Sequence, residues 1–232
     1  MFWYDATYIL LIPAILFTLF AQAKVKMNFN KYSNVRNHRN ITGFEAARRV
    51  LDANGLRDVG IEAVAGNLTD HYDPRTRVLR LSEGVYGVPS IAAVSVACHE
   101  VGHAIQHATS YAPLKIRNSI VPVVNFASFL SWPMAIIGIL LLSSNRQMGD
   151  LLFNVGVIMF LAVILFHLVT LPVEFNASHR AVQEMNELGI INSDETTGAK
   201  KVLNAAAMTY VAALATAVLN LVRLFAMRGR ND

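Results

Sequence analysis

Asp150-LLFNVGVIMFLAVILFHLVTLPV-Glu174 is the run on which the fold turns: 23 residues without a formal charge, closed at each end by a carboxylate. A helix needs about 20 predominantly apolar residues to cross the hydrocarbon core of a bilayer. Three further charge-free runs approach or exceed that length: 18 residues between Asp5 and Lys24, 28 between Arg117 and Arg146, and 21 between Lys201 and Arg223. Together they predict a mainly α membrane protein with about four transmembrane helices. Composition agrees, with 54% of residues apolar and 16% charged, against roughly 25% charged in soluble domains. That composition argues against both an ordinary soluble enzyme and a disordered chain. A net charge of +4 is too small to point to nucleic acid. A single cysteine rules out an intrachain disulfide framework and a Cys-rich zinc finger.

Working outward, the chain divides into a first transmembrane helix at 1–23, a polar domain at 24–117 and a transmembrane hairpin at 118–173. A returning helix and loop follow at 174–201, then a fourth transmembrane helix with a basic tail at 202–232. The first run has only Asp5 ahead of it, while Lys24, Lys26 and Lys31 follow. That is the wrong charge order for a signal peptide and fits an uncleaved anchor. The fourth run carries Asn204, Thr209, Tyr210, Thr216 and Asn220 among many alanines, which suits a helix packed on other helices. Its alternative is a helix lying in the interface.

Within 24–117 the pattern predicts a small α+β domain. Thr42-Gly-Phe-Glu45 is a capping box opening a helix with Phe44, Ala47, Val50 and Leu51 on its apolar positions, and Asn54-Gly55 stops it. Ile61–Leu68 and Arg77–Leu81 read as short strands joined through the Asp73-Pro74 turn, a short β-hairpin or sheet. Residues 24–41, rich in asparagine and basic side chains, read as an irregular solvated connection.

The chemistry lies after Pro89, in SIAAVSVACHEVGHAIQH (90–107), on a helix of about 90–109. Its centre, His99-Glu100-Val101-Gly102-His103, is an HExxH motif. A spacing of four puts both imidazoles on one helix face, within reach of one zinc ion, and leaves Glu100 beside the metal as a base for a water molecule. Small Gly102 permits another element to come close. A catalytic zinc needs a third protein ligand and an open position. Glu174 is the best candidate: two spans separate it from the HExxH helix, so the chain returns to the same face, and a carboxylate at the end of an apolar run needs a partner or water.

HEVGHAIQH (99–107) followed by LPVEFNASHRA (171–181) resembles the YugP-like bacterial membrane zinc metallopeptidases, as do LTDHYDP (68–74) and KKVLNAAAMTYVAA (200–213). More distantly the chain is similar to the HtpX and CAAX prenyl protease gluzincins, which pair HExxH with a later Glu-(Phe)-x-Ala-Asp. The resemblance spans nearly the whole chain. It implies that His99, His103 and Glu174 hold Zn2+, that Glu100 is the base, and that the protein hydrolyses peptide bonds of membrane-associated protein substrates. Ser178 stands where the distant group has an aspartate that would orient a ligand histidine.

Several other residues enter as candidates. His107 lies about 12 Å along the helix from His99, far for the same ion, and reads as an outer polar partner. Cys98 reads as a small buried apolar residue. His167 is an ionisable group inside a span, functional or simply bonded within the bundle. His179, Arg180 and Tyr210 are alternatives for stabilising an oxyanion. Asp70 and His71 could line a cleft or serve the turn. An exposed edge on the 77–82 strand could take up an extended peptide.

Two other functions compete with a membrane zinc endopeptidase. A site-2-type intramembrane protease would carry an Asp-Gly motif in a later span, and the chain has no Asp-Gly dipeptide. A non-proteolytic scaffold or transporter component with a vestigial metal site would not need Glu100. For orientation, 16 of the 20 Lys and Arg residues fall in 24–117 and 175–201. The positive-inside rule then places the zinc site on the cytoplasmic side of the cell membrane.

Overall fold

The computed structural model describes residues 6–229; Asp5, which bounds the first charge-free run, lies outside them. The chain is a mainly α membrane protein with a small three-stranded sheet. A 3-10 turn at Ala6–Leu11 leads into α1 (Ile12–Ser33). Next come α2 (Gly43–Ala53), β1 (Gly60–Val64), β2 (His71–Asp73), β3 (Val78–Ser82), the short α3 (Glu83–Tyr86) and α4 (Ile91–Ala108). Three long helices complete the chain: α5 (Ala112–Leu141), α6 (Arg146–Glu187) and α7 (Thr196–Arg228). The first helical segment, α5, α6 and α7 are each long and apolar enough to cross a membrane. At 42 residues α6 runs about 63 Å, roughly twice a hydrocarbon core, so its apolar run uses only part of it.

The described residues form two compact units, one of 6–20, 116–171 and 209–229, the other of 21–115 and 172–208. In the first, α5 and α6 meet through glycines. A methyl added at Gly138 would lie 2.8 Å from the Gly149 carbonyl oxygen, and one at Gly156 would lie 2.7 Å from the Ala135 nitrogen. Small residues let helix backbones approach where lipid provides no hydrophobic drive. Phe153 is fully buried at this crossing. Two arginines of this unit are paired: Arg223 donates to Thr7 Oγ1 at 3.1 Å and stacks 3.7 Å over the Tyr8 ring, and Arg228 donates to Asp150 at 2.6 Å. Long apolar side chains such as Phe126, Phe129, Leu140 and Ile158 face outward.

The second unit has an ordinary hydrophobic core. α2 lays Ala46, Ala47, Val50 and Leu51 against α4, with Leu79 and Leu81 of β3 and Met185 and Ile190 completing it. The capping box forms as the sequence predicts: Glu45 N–H donates to Thr42 Oγ1 at 3.2 Å and Thr42 N–H to Glu45 Oε2 at 2.8 Å. Gly55, at φ +73°, takes the left-handed position after the Asn54 cap. Ser90 caps α4 by accepting from Ala93 N–H.

Two sequence expectations are corrected here. Residues 24–33 are helical, not irregular. Asn28 and Asn34 donate their amides back to the carbonyls of Lys24 and Asn30, so these polar side chains follow the helix instead of breaking it. The two-strand hairpin is a three-strand sheet of order β1-β3-β2. β1 pairs parallel with β3 (Gly60 opposite Val78), and the antiparallel partner is the three-residue β2 (Tyr72 opposite Leu79). β3 is therefore central and has no open edge, which overturns its proposed role in taking up a peptide. One aspartate at each end of β2 explains the shape. Asp70 accepts from Ser82 N–H and Oγ, and Asp73 from Arg75 N–H and Thr76 Oγ1, which folds the chain back on β3.

Candidate metal centre

α4 carries His99 and His103 on adjacent turns, with ring centroids 4.8 Å apart and planes nearly perpendicular. Beyond Pro172, α6 brings Glu174 to them. Glu174 is 3% exposed, and its Oε2 lies 3.3 Å from His99 Nε2 and 3.6 Å from His103 Nε2. The two helices come this close because Gly102 has no side chain: a methyl there would sit 2.6 Å from the Ala177 carbonyl oxygen. The three ligand atoms lie within 4.8 Å of one another.

This donor set fits zinc. Bonds of about 2.0–2.1 Å around a tetrahedral ion place neighbouring ligand atoms about 3.3 Å apart, against the observed 3.3 and 3.6 Å. Two imidazoles and one carboxylate are also the ligand count of an open catalytic site rather than a closed structural one.

Both imidazoles are held from behind. His103 Nδ1–H donates to Gln106 Oε1 at 3.0 Å. Gln106 is fully buried, and its amide donates in turn to the Val173 carbonyl at 2.8 Å and to Asn176 Oδ1 at 3.0 Å. His99 Nδ1 pairs with Ser178 Oγ at 3.1 Å. Occupying each Nδ1 leaves each Nε2 to face Glu174, the tautomer a metal requires. Ser178 thus gives His99 an uncharged hydrogen-bond partner.

Glu100 stands apart from the three ligand atoms. Its Oε2 accepts from Tyr72 N–H of β2 at 3.2 Å. Burial pushes its carboxyl above the usual range, opposed by the neighbouring His103 and His99. Desolvation works against a charged His103, but the neighbouring carboxylates of Glu174 and Glu100 outweigh it and raise its pKa.

The remaining sequence candidates separate. His107 pairs with Tyr72 Oη at 3.0 Å and touches neither ligand imidazole through a hydrogen bond. Arg180 Nε donates to Asn176 Oδ1 at 2.8 Å, one step from the Gln106 relay, whereas His179 is exposed. Tyr210 and His167 belong to the other compact unit. Asp70 accepts from Ser82 at the end of β3, and His71 pairs its Nδ1 with the Thr69 carbonyl. Cys98 is buried, and burial pushes its thiol pKa up, so it is an inert core residue. Sequence reading missed Gln106, Asn176 and Tyr72. Gln106 had a signal, its i+3 spacing from His103; Tyr72 had none, because its contact to Glu100 is made by the backbone.

Residues 7–229 match a family described as "Putative neutral zinc metallopeptidase". The "Putative membrane protease YugP" of Bacillus subtilis (strain 168) is 51% identical over 225 residues, covering 96% of this chain and 97% of that protein. No solved structure matches the chain.

Proposed function

Because the chain belongs to this zinc metallopeptidase family, we propose that it is a membrane-embedded zinc endopeptidase with His99, His103 and Glu174 as metal ligands and Glu100 as general base. The observation that carries this reading is the grouping of one atom each from His99, His103 and Glu174 within 4.8 Å, with Glu100 near enough to interact with all three residues but not a member of the group. When bound, zinc polarises a scissile carbonyl and acidifies water. The chain's own residues do the rest. Ser178 and Gln106 hold the imidazoles in the ligating tautomer. Glu100 takes the proton of the attacking water and passes it to the leaving amine, and its burial-raised pKa suits a group that must do both. Charge developing on the carbonyl oxygen would fall to one of His179, Arg180 and Tyr210, of which Arg180 is tethered at Nε by Asn176.

Glu174 directly follows the apolar run of α6, so substrates are proteins or unfolded segments close to the bilayer. The distribution of Lys and Arg favours a site on the cytoplasmic side. The test is metal analysis of the purified full chain with casein cleavage by wild type and Glu100→Gln. The variant should keep its zinc and lose roughly 10²–10⁴-fold in rate. A Glu100→Gln protein that cleaves at the wild-type rate would remove Glu100 from the mechanism.

A further inference from the structure

We propose that Tyr72 and His107 are positioning residues that set the Glu100 carboxylate through strand β2. The proposal rests on Glu100 being the general base. Glu100 and His107 lie seven residues apart on α4, hence on nearly one face of that helix. Tyr72 spans the two. Its backbone N–H donates to Glu100 Oε2 at 3.2 Å, and its hydroxyl shares a 3.0 Å hydrogen bond with His107 Nδ1. The two rings also pack, with centroids 5.9 Å apart.

β2 needs such an anchor. It has three residues and lies at the edge of the sheet, so few ladder bonds hold it. Asp70 and Asp73 tie its two ends to β3 and to the following turn. Those bonds fix β2 to the sheet and leave its placement along α4 to other groups. The Tyr72–His107 bond supplies that placement directly, two helical turns from Glu100. Alternate residues of an antiparallel edge strand turn their N–H groups away from the ladder. At Tyr72 that outward N–H is given to a carboxylate. A base whose oxygen is tied to a strand keeps one orientation between turnovers, and small misplacements of reacting groups cost rate steeply.

The test uses the full-length, zinc-loaded protein and a fluorogenic casein-derived peptide. Tyr72→Phe and His107→Leu should each lower kcat by about tenfold, with KM and zinc content unchanged. His107→Gln, which restores an acceptor for the phenol, should recover most of the loss. The double variant Tyr72→Phe/His107→Leu should be no slower than the slower single. In a Glu100→Gln background neither change should lower the residual rate further. Independently of activity, backbone amide exchange in the 71–73 segment should speed up in His107→Leu, with or without metal. Unchanged kcat, a loss that persists in the Glu100→Gln background, or loss of zinc would overturn the proposal. Wild-type activity in Glu100→Gln alone would overturn it by removing the base it acts on, and faster exchange in 71–73 would then show the anchor to be structural only.

Discussion

In the unit formed by 6–20, 116–171 and 209–229, backbones meet at Gly138, Gly149 and Gly156 and large apolar side chains face outward. In the unit formed by 21–115 and 172–208, Gly102 makes a close approach of the same kind against Ala177. There it is surrounded by side-chain hydrogen bonds: Gln106 to Val173 and Asn176, and Ser178 to His99. The same device, a missing Cβ, therefore serves different ends. In the first unit it replaces hydrophobic drive between helices whose outer faces suit lipid. In the second it brings a carboxylate from one helix to two imidazoles on another, and polar bonds keep the three in register.

Removing a ligand should break the comparison most severely. His103→Ala or Glu174→Ala should abolish both zinc retention and proteolysis while the first unit keeps its helices, read as helical circular dichroism with zinc stoichiometry. A Glu174→Ala protein with full zinc and full activity would put the third ligand elsewhere.

Gln106→Ala sharpens the role of the polar bonds. It frees His103 Nδ1 and leaves the Val173 carbonyl and Asn176 without their shared donor. Zinc affinity should fall about 10–100-fold, the usual effect of removing an outer partner of a metal-bound histidine, measured by chelator competition. An unchanged affinity would mean that helix packing alone holds the ligands.

The glycines give a smaller, paired effect. Gly102→Ala and Gly156→Ala each force a methyl against backbone atoms, so each should cost about 1–3 kcal/mol of stability. Only Gly102→Ala should also lower zinc occupancy, because only it separates α4 from the helix bearing Glu174. Equal zinc occupancy in both variants would show that the metal site tolerates the displacement.

These contrasts track how far the sequence could be read. The long helices were legible because a charge-free run of 18 to 28 residues reports helix and environment together. HExxH was legible because its spacing encodes one helix face, and Glu174 because a carboxylate ends an apolar run. The capping box at Thr42 was legible because both halves are local. What stayed hidden depends on tertiary contacts. The three residues of β2 are too few to show an alternating pattern, so the sheet read as a hairpin and β3 as an edge. The asparagines of 24–34 looked like breakers because their bonds to carbonyls four residues back exist only once the helix has formed. Gln106 looked like one more polar residue, since its partners lie on α6.

The smallest expected effect concerns Cys98. Buried and with its thiol pKa raised, it should resist an impermeant maleimide in the folded protein. A cysteine introduced at the C-terminal tail can then be read against a silent background. The cytoplasmic-site orientation predicts labelling of that tail in intact cells. Labelling only after lysis would favour the reverse orientation or a fourth helix lying on the surface, and a second cysteine within 144–150 would tell those two apart.

The proposed metal site is open and takes two imidazoles of α4 and the Glu174 carboxylate, with Glu100, His107 and Cys98 outside it. Zinc K-edge absorption on the purified full chain tests it most directly. Two imidazole nitrogens at about 2.0–2.1 Å are expected, with the rest of the shell oxygen and no sulfur. A third imidazole or a sulfur scatterer would contradict it.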